Sequence, residues 1–120
     1  MSIVLAIVDD MLFASKIRAS AEAVGVEVKF VRSMEKLIET AREVKPGLVV
    51  VDLHNTKLDP VAVATELKSN EDLRQVRLLG FFSHVQTDLQ RNATAAGYDQ
   101  VIPRSMFARD LGQILATAQP

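Results

Sequence analysis

Five short apolar runs, at residues 3–8, 26–30, 48–51, 76–82 and 99–102, alternate along this chain with segments of helical periodicity. That alternation is what most narrows the folds open to it. Phe13, Ile17, Ala21 and Val24 recur at helical spacing after the first run, and Met34, Leu37, Ile38 and Ala41 after the second. Val63 and Leu67 follow the third, Leu89, Ala93 and Ala96 the fourth, and Leu111, Ile114 and Leu115 the fifth. Such spacing lines one face of a helix with apolar side chains. Gly25, Gly47 and Gly97 stand where helices should stop, and Pro46-Gly47 is a helix-to-strand break. Ser33 reads as the N-cap of the second helix and Ser105 as that of the last, expected as one helix over 106–117. Five such units joined by short loops predict an α/β fold. Right-handed crossovers then place helices on both faces of a parallel five-stranded sheet.

The runs differ in a way that orders the strands. Val49-Val50-Val51 is continuously apolar, as in a strand covered on both faces, whereas Val26-Glu27-Val28-Lys29-Phe30 alternates and belongs at an edge. The expected order is 2-1-3-4-5, the doubly wound, flavodoxin-like arrangement, whose ligand crevice lies at the strands' carboxyl ends between the first and third. Polar residues fall at those ends. Asp9 and Asp10 close the first run, Asp52 the third, Ser83 the fourth, and Arg104 lies just past the fifth. Three carboxylates brought together repel one another unless a cation sits among them, while a hydroxyl and a guanidinium beside them suit an anion. Each residue alone has a plainer use. Asp9 or Asp10 can cap a helix, and a serine after a strand is also a turn former.

Composition limits the alternatives. The chain has 120 residues, 48% of them hydrophobic and 24% charged, with a formal net charge of -1, so no basic field points to nucleic acid or an anionic membrane. No cysteine is present, which excludes disulfides and thiolate metal sites and fits a reducing cytoplasm. No apolar stretch approaches the roughly 20 residues of a membrane span. Neither GxGxxG nor GxxxxGK[ST] occurs, which argues against a nucleotide. Asp52-Leu53-His54 begins like the DxHxxG motif of cobalamin-binding domains, but Lys57 stands where its glycine is required.

With these residues in place, the whole chain resembles the receiver domain of bacterial two-component response regulators, of the chemotaxis-regulator kind. Val8-Asp9-Asp10 is similar to that family's acidic pair after the first strand, and Val50-Val51-Asp52-Leu53 to the strand carrying its phospho-accepting aspartate. Ser83 stands at the family's Ser or Thr, Arg104 at its Lys, and Lys57-Leu58-Asp59 in the loop after the phosphorylation site. The resemblance implies one receiver-like domain over 1–120. In it Asp52 accepts a phosphoryl group from a histidine kinase or phosphotransfer protein. Mg²⁺ or Mn²⁺ would be held by Asp10, Asp52 and the backbone carbonyl of His54, with Asp9 acting through a metal-bound water. Ser83 and Arg104 would contact the phosphoryl oxygens. Such a domain is regulatory, catalysing only its own phosphotransfer and dephosphorylation. It signals through the face of the fourth helix, fifth strand and fifth helix (86–96, 99–102, 106–117) to a protein partner or a second copy. No direct nucleic-acid or membrane contact is expected.

The chain also departs from that pattern. Arg104 replaces lysine, and Ser105 replaces the proline that follows a cis peptide in the family. A cis bond without proline costs about 2.5–4 kcal/mol, so a trans bond and a re-routed loop are expected. Val101 takes the place of the switch aromatic, His84 that of a small residue, and Thr56 and Pro60 replace a proline and a glycine. These changes keep open a second reading, a pseudo-receiver that binds partners without phosphotransfer. Val101, Met106 and Phe107 make the output face apolar. Met11, Leu12 and Phe13 are expected to pack in the core, and His84 to line the rim of the site.

Overall fold

In the computed structural model, which describes residues 2–118, the alternation becomes a five-stranded parallel sheet in the order β2-β1-β3-β4-β5. The strands are β1 (Ile3–Ile7), β2 (Glu27–Phe30), β3 (Leu48–Asp52), β4 (Arg77–Phe82) and β5 (Gln100–Pro103). The helices are α1 (Met11–Ala23), α2 (Met34–Val44), α3 (Pro60–Ser69), α4 (Thr87–Ala96), α5 (Arg104–Arg109) and α6 (Leu111–Ala116). The expected order and the edge position of the alternating strand are both borne out.

Two cores flank the sheet because successive strand residues face opposite sides. Leu5, Ile7, Val49 and Val51 pack with Leu37 and Ala41 of α2, Val63 and Leu67 of α3 and Ala93 of α4. Val4, Ala6, Leu48 and Val50 pack with Phe13 and Ile17 of α1, Phe107 of α5 and Leu111 and Leu115 of α6. All five residues of β3 are buried, as its unbroken valines require. On the second face three rings pack together. Phe81 and Phe107 stack with centroids 4.7 Å apart, and Phe13 meets Phe81 edge-on at 5.3 Å.

Several expectations need correction. The last helix is broken at Asp110, whose φ of -102° and ψ of 17° separate α5 from α6, and the Arg109 guanidinium pairs with both oxygens of the Asp110 carboxylate. Ser105 caps nothing. It lies inside α5, because Pro103 with φ -62° already occupies the N-cap position and leads the chain straight into a helix at Arg104. The peptide bonds are all trans among the described residues, as expected at Ser105, and β5 runs into α5 with no residue between them. Phe107 is fully buried, so it cannot contribute to an apolar output face. Met11 and Leu12, expected in the core, are 75% and 87% exposed; only Phe13 of that trio turns inward. Gly47 does not stop α2, since Lys45 takes the left-handed conformation there (φ 49°). Its role is close packing: a Cβ on Gly47 would lie 2.3 Å from the carbonyl oxygen of Ala118.

Truncating the stacked ring tests this core. Phe107→Ala should lower unfolding stability by about 3–5 kcal/mol in a denaturant titration, the usual cost of removing a buried phenyl group.

Candidate functional site at the carboxyl edge of the sheet

Parallel strands end together, and the register brings the predicted residues to one edge. Ile7 pairs with Val51, Asp52 with Phe81 and Phe82 with Pro103, so Asp9, Asp10, Ser83 and Arg104 all lie one to three residues beyond paired positions. Within that edge the side chains divide into distinct arrangements.

Asp52 is the one buried charged residue among those described, at 8% exposure. Its Oδ1 accepts the His54 N–H at 2.9 Å, and no hydrogen bond among the described residues reaches its Oδ2. Burial pushes its carboxyl above the ordinary carboxylate range, against the opposing pull of the His54 N–H and the more distant charge of Arg104, while Asp9 adds to the rise. The loop after it is organised by Asn55. The Asn55 side chain donates to the Asp52 carbonyl oxygen at 2.8 Å and accepts from the N–H groups of Lys57 and Leu58 at 2.9 and 2.7 Å. Thr56 then donates both its N–H and its hydroxyl to Asp9 Oδ2, at 2.7 and 3.0 Å.

Asp10 is engaged differently. Its Oδ1 caps α1 by accepting the Leu12 and Phe13 N–H groups at 3.0 and 3.1 Å. Its Oδ2 accepts from the Arg104 guanidinium at 2.9 Å. That guanidinium, the first residue of α5, lies over the Phe13 ring with Cζ 4.2 Å from the centroid. A contact of this kind contributes about 0.5–1 kcal/mol at an exposed site and more when desolvated. The Arg104 bond and charge, with the two capping N–H groups, hold the Asp10 carboxyl below the usual range. Asp10 is therefore a helix cap and an ion-pair partner at once.

Ser83 is exposed and makes no hydrogen bond among the described residues. His84 donates its N–H to His54 Nε2 at 3.4 Å, and the two rings meet edge to face at 5.6 Å, joining the loops after β3 and β4. Three participants escaped the sequence reading in these roles. Asn55 had a usable signal, since Asn two or three residues past a strand commonly builds a side-chain turn. Thr56 as a donor to Asp9, and Phe13 as a platform for Arg104, had none, because both depend on partners 47 and 91 residues away.

The oxygen donors have the right chemistry for a small hard cation: two carboxylates with free or displaceable oxygens, a third nearby and a carbonyl at His54. Asp52 supplies the physical reason for one, a buried carboxylate with no guanidinium or ammonium of the described residues within ion-pair distance. As the side chains stand, however, no three acidic or histidine groups among the described residues gather closely enough to hold an ion. Arg104 holds the Asp10 oxygen that a cation would need.

Comparison with known proteins places the fold. The receiver domain of sensor histidine kinase PA1611 from Pseudomonas aeruginosa, solved with a magnesium ion coordinated in its active-site cleft, is 18% identical with a TM-score of 0.81, covering 98% of this chain and 96% of that one. A response regulator from Hahella chejuensis is 17% identical with a TM-score of 0.86, covering 99% and 96%. The chain thus has the fold of response-regulator receiver domains. Among curated proteins, the response regulator VraR of Staphylococcus aureus is 32% identical over 79 residues, 66% of this chain. This chain matches about 37% of VraR's length. No protein-family model matches the chain. No helix among the described residues is long and apolar enough to cross a membrane.

The two aspartates should respond oppositely to substitution. Burial raises Asp52, so its ionised form costs stability at neutral pH, and that cost fades as pH falls through the raised folded value and is gone below the ordinary value of about 3.9, where the group is protonated in both folded and unfolded chains. Asp10 is lowered, so its contribution is complete above about 4 and disappears as pH falls through the depressed value. At pH 7, Asp52→Asn should therefore raise Tm and Asp10→Asn should lower it, with both differences shrinking on acidification. Thermal melts from pH 7 to pH 3 provide the check, and shifts of the same sign at pH 7 would contradict the charge assignment.

Proposed function

We propose that the chain is a signal-receiving domain, one unit over residues 1–120, that accepts a phosphoryl group on Asp52 from a partner's phosphohistidine. The observation carrying this reading is the buried Asp52 carboxylate at the end of β3, fixed through Oδ1 with Oδ2 unpaired. The free oxygen attacks phosphorus, an O–P bond forms as the N–P bond to the donor histidine breaks, and the histidine takes the electron pair. Charge on the group in flight must be neutralised by fixed donors. Ser83 and Arg104, each one residue beyond the paired Phe82 and Pro103, are the proposed donors.

Asp10, Asp52 and the His54 carbonyl would hold Mg²⁺ or Mn²⁺, with Asp9 acting through water. The ion would supply charge neutralisation between the carboxylates and the phosphoryl oxygens. The domain is regulatory rather than a turnover enzyme and works in the cytoplasm. Its input partner is a histidine kinase or a phosphotransfer protein. Its output is a protein, or a second copy, on the face of α4 and β5, where Thr87, Gln90, Arg91 and Val101 line an open groove.

A second reading, a module that binds partners without phosphotransfer, is favoured by one observation: the Arg104–Asp10 pair neutralises part of the acidic site from within.

Incubation with acetyl phosphate and MgCl₂, read by intact mass, separates the two. Wild type should gain one phosphoryl group, Asp52→Asn none, and Ser83→Ala should label more slowly. Absence of labelling in wild type would instead support the module.

A further inference from the structure

Arg104 is more than a lysine equivalent displaced by one functional group. Its position follows from β5 running directly into α5, which makes it the first helical residue, immediately after the fixed φ of Pro103. From there the side chain reaches to the start of α1, on the same face of the sheet. It covers the Phe13 ring, meets Asp10 Oδ2 at 2.9 Å, and is only 34% exposed. Both Asp10 oxygens are engaged, Oδ1 by two helix N–H groups and Oδ2 by the guanidinium, so a further ligand competes with contacts already made.

We propose that Arg104 is a built-in cation that gates the acidic site: while its guanidinium holds Asp10 against the Phe13 ring, a divalent cation is excluded, and cation binding requires the guanidinium to leave both. The gate rests on the reading of this edge as a cation site, but not on phosphorylation.

Two physical facts set the two positions in competition. Mg²⁺ binds carboxylate oxygen at about 2.0–2.1 Å and demands near-ideal octahedral geometry, so an ion on Asp10 Oδ2 draws on the same oxygen that the Arg104 guanidinium now holds at 2.9 Å. A divalent ion and a guanidinium on one carboxylate would also repel each other strongly at that separation. Arginine suits the role better than lysine. Its planar, weakly hydrated head stacks on Phe13 while it bonds Asp10, whereas an ammonium is a compact, strongly hydrated charge that gains less from the ring. The remaining positive charge acts on Asp52 from a distance, so release of Arg104 would alter the environment of both carboxylates together.

The test is cation binding by unphosphorylated protein. MgCl₂ is titrated by calorimetry into wild type, Arg104→Lys and Arg104→Gln, and the Phe13 ring and Arg104 Nε–H resonances are followed by NMR in wild type. Arg104→Gln should bind Mg²⁺ about tenfold more tightly than wild type, the size expected from releasing one partly exposed ion pair and one ring contact. Arg104→Lys should fall between them. In wild type, the Phe13 and Arg104 resonances should move with the same midpoint as the calorimetric binding.

Equal affinity in wild type and Arg104→Gln would overturn the gate. So would saturation of wild type with those resonances unmoved, since removing a charge then acts only through its field. Failure of every variant to bind Mg²⁺ would overturn it as well. If Arg104→Gln does not fold, the wild-type resonances and Arg104→Lys decide alone. Failure of acetyl-phosphate labelling would leave this result standing, because no step of the titration involves phosphoryl transfer.

Discussion

A guanidinium lying on a phenyl ring links the two ends of this chain across its polar edge. Beneath Phe13 lie Phe81 of the central sheet and Phe107 of α5, so the ring that supports Arg104 is itself held by two fully buried rings of one core. Above it, Arg104 joins the start of α5 to Asp10, which in turn fixes the start of α1. Core packing, helix capping and surface charge thus form one continuous chain of contacts. A disturbance of Phe107 would travel through Phe13 to the acidic edge, because close-packed interiors transmit strain.

The edge is consequently asymmetric. Asp10 is exposed, capped into a helix and paired, and its charge is favoured. Asp52 is buried and unpaired at one oxygen, and its charge is disfavoured. Two carboxylates in neighbouring positions with pKa values pushed in opposite directions have different chemistry available to them. Asp52 keeps one oxygen without a hydrogen bond among the described residues, whereas both oxygens of Asp10 hold other groups. Asp9, tied to Thr56, couples this edge to the loop after β3, and the His54–His84 contact couples that loop to the one after β4. Any change in charge at Asp52 meets a set of loops already connected by hydrogen bonds.

Much of this was legible in the residues themselves. The triple valine at 49–51 identified a strand covered on both faces, and the alternation at 26–30 identified an edge, because burial leaves a period in sequence. Asp10 as a helix cap was also readable, since capping is local. The end of the chain was misread for the same reason in reverse. Phe107, Leu111 and Leu115 fit one helical face, and nothing local announces that Asp110 will interrupt it or that Pro103 will start it at Arg104. Phe107 was assigned to a surface on the strength of its neighbours in sequence, while its neighbours in space are two other phenylalanines.

The sequence by itself determined the strand order, the covering of both sheet faces by helices and the edge at which the polar residues would meet. Those properties follow from hydrophobic period and from parallel connections, which are local or nearly so. Only the tertiary structure decided which partner each carboxylate would take. Asp10 lies 94 positions from Arg104 and Asp9 lies 47 from Thr56, and such pairings depend on strand register, helix start and the ring beneath them. Spacing could assemble the residues at one edge, but distances of a few ångströms divided them into a paired acid and a free one.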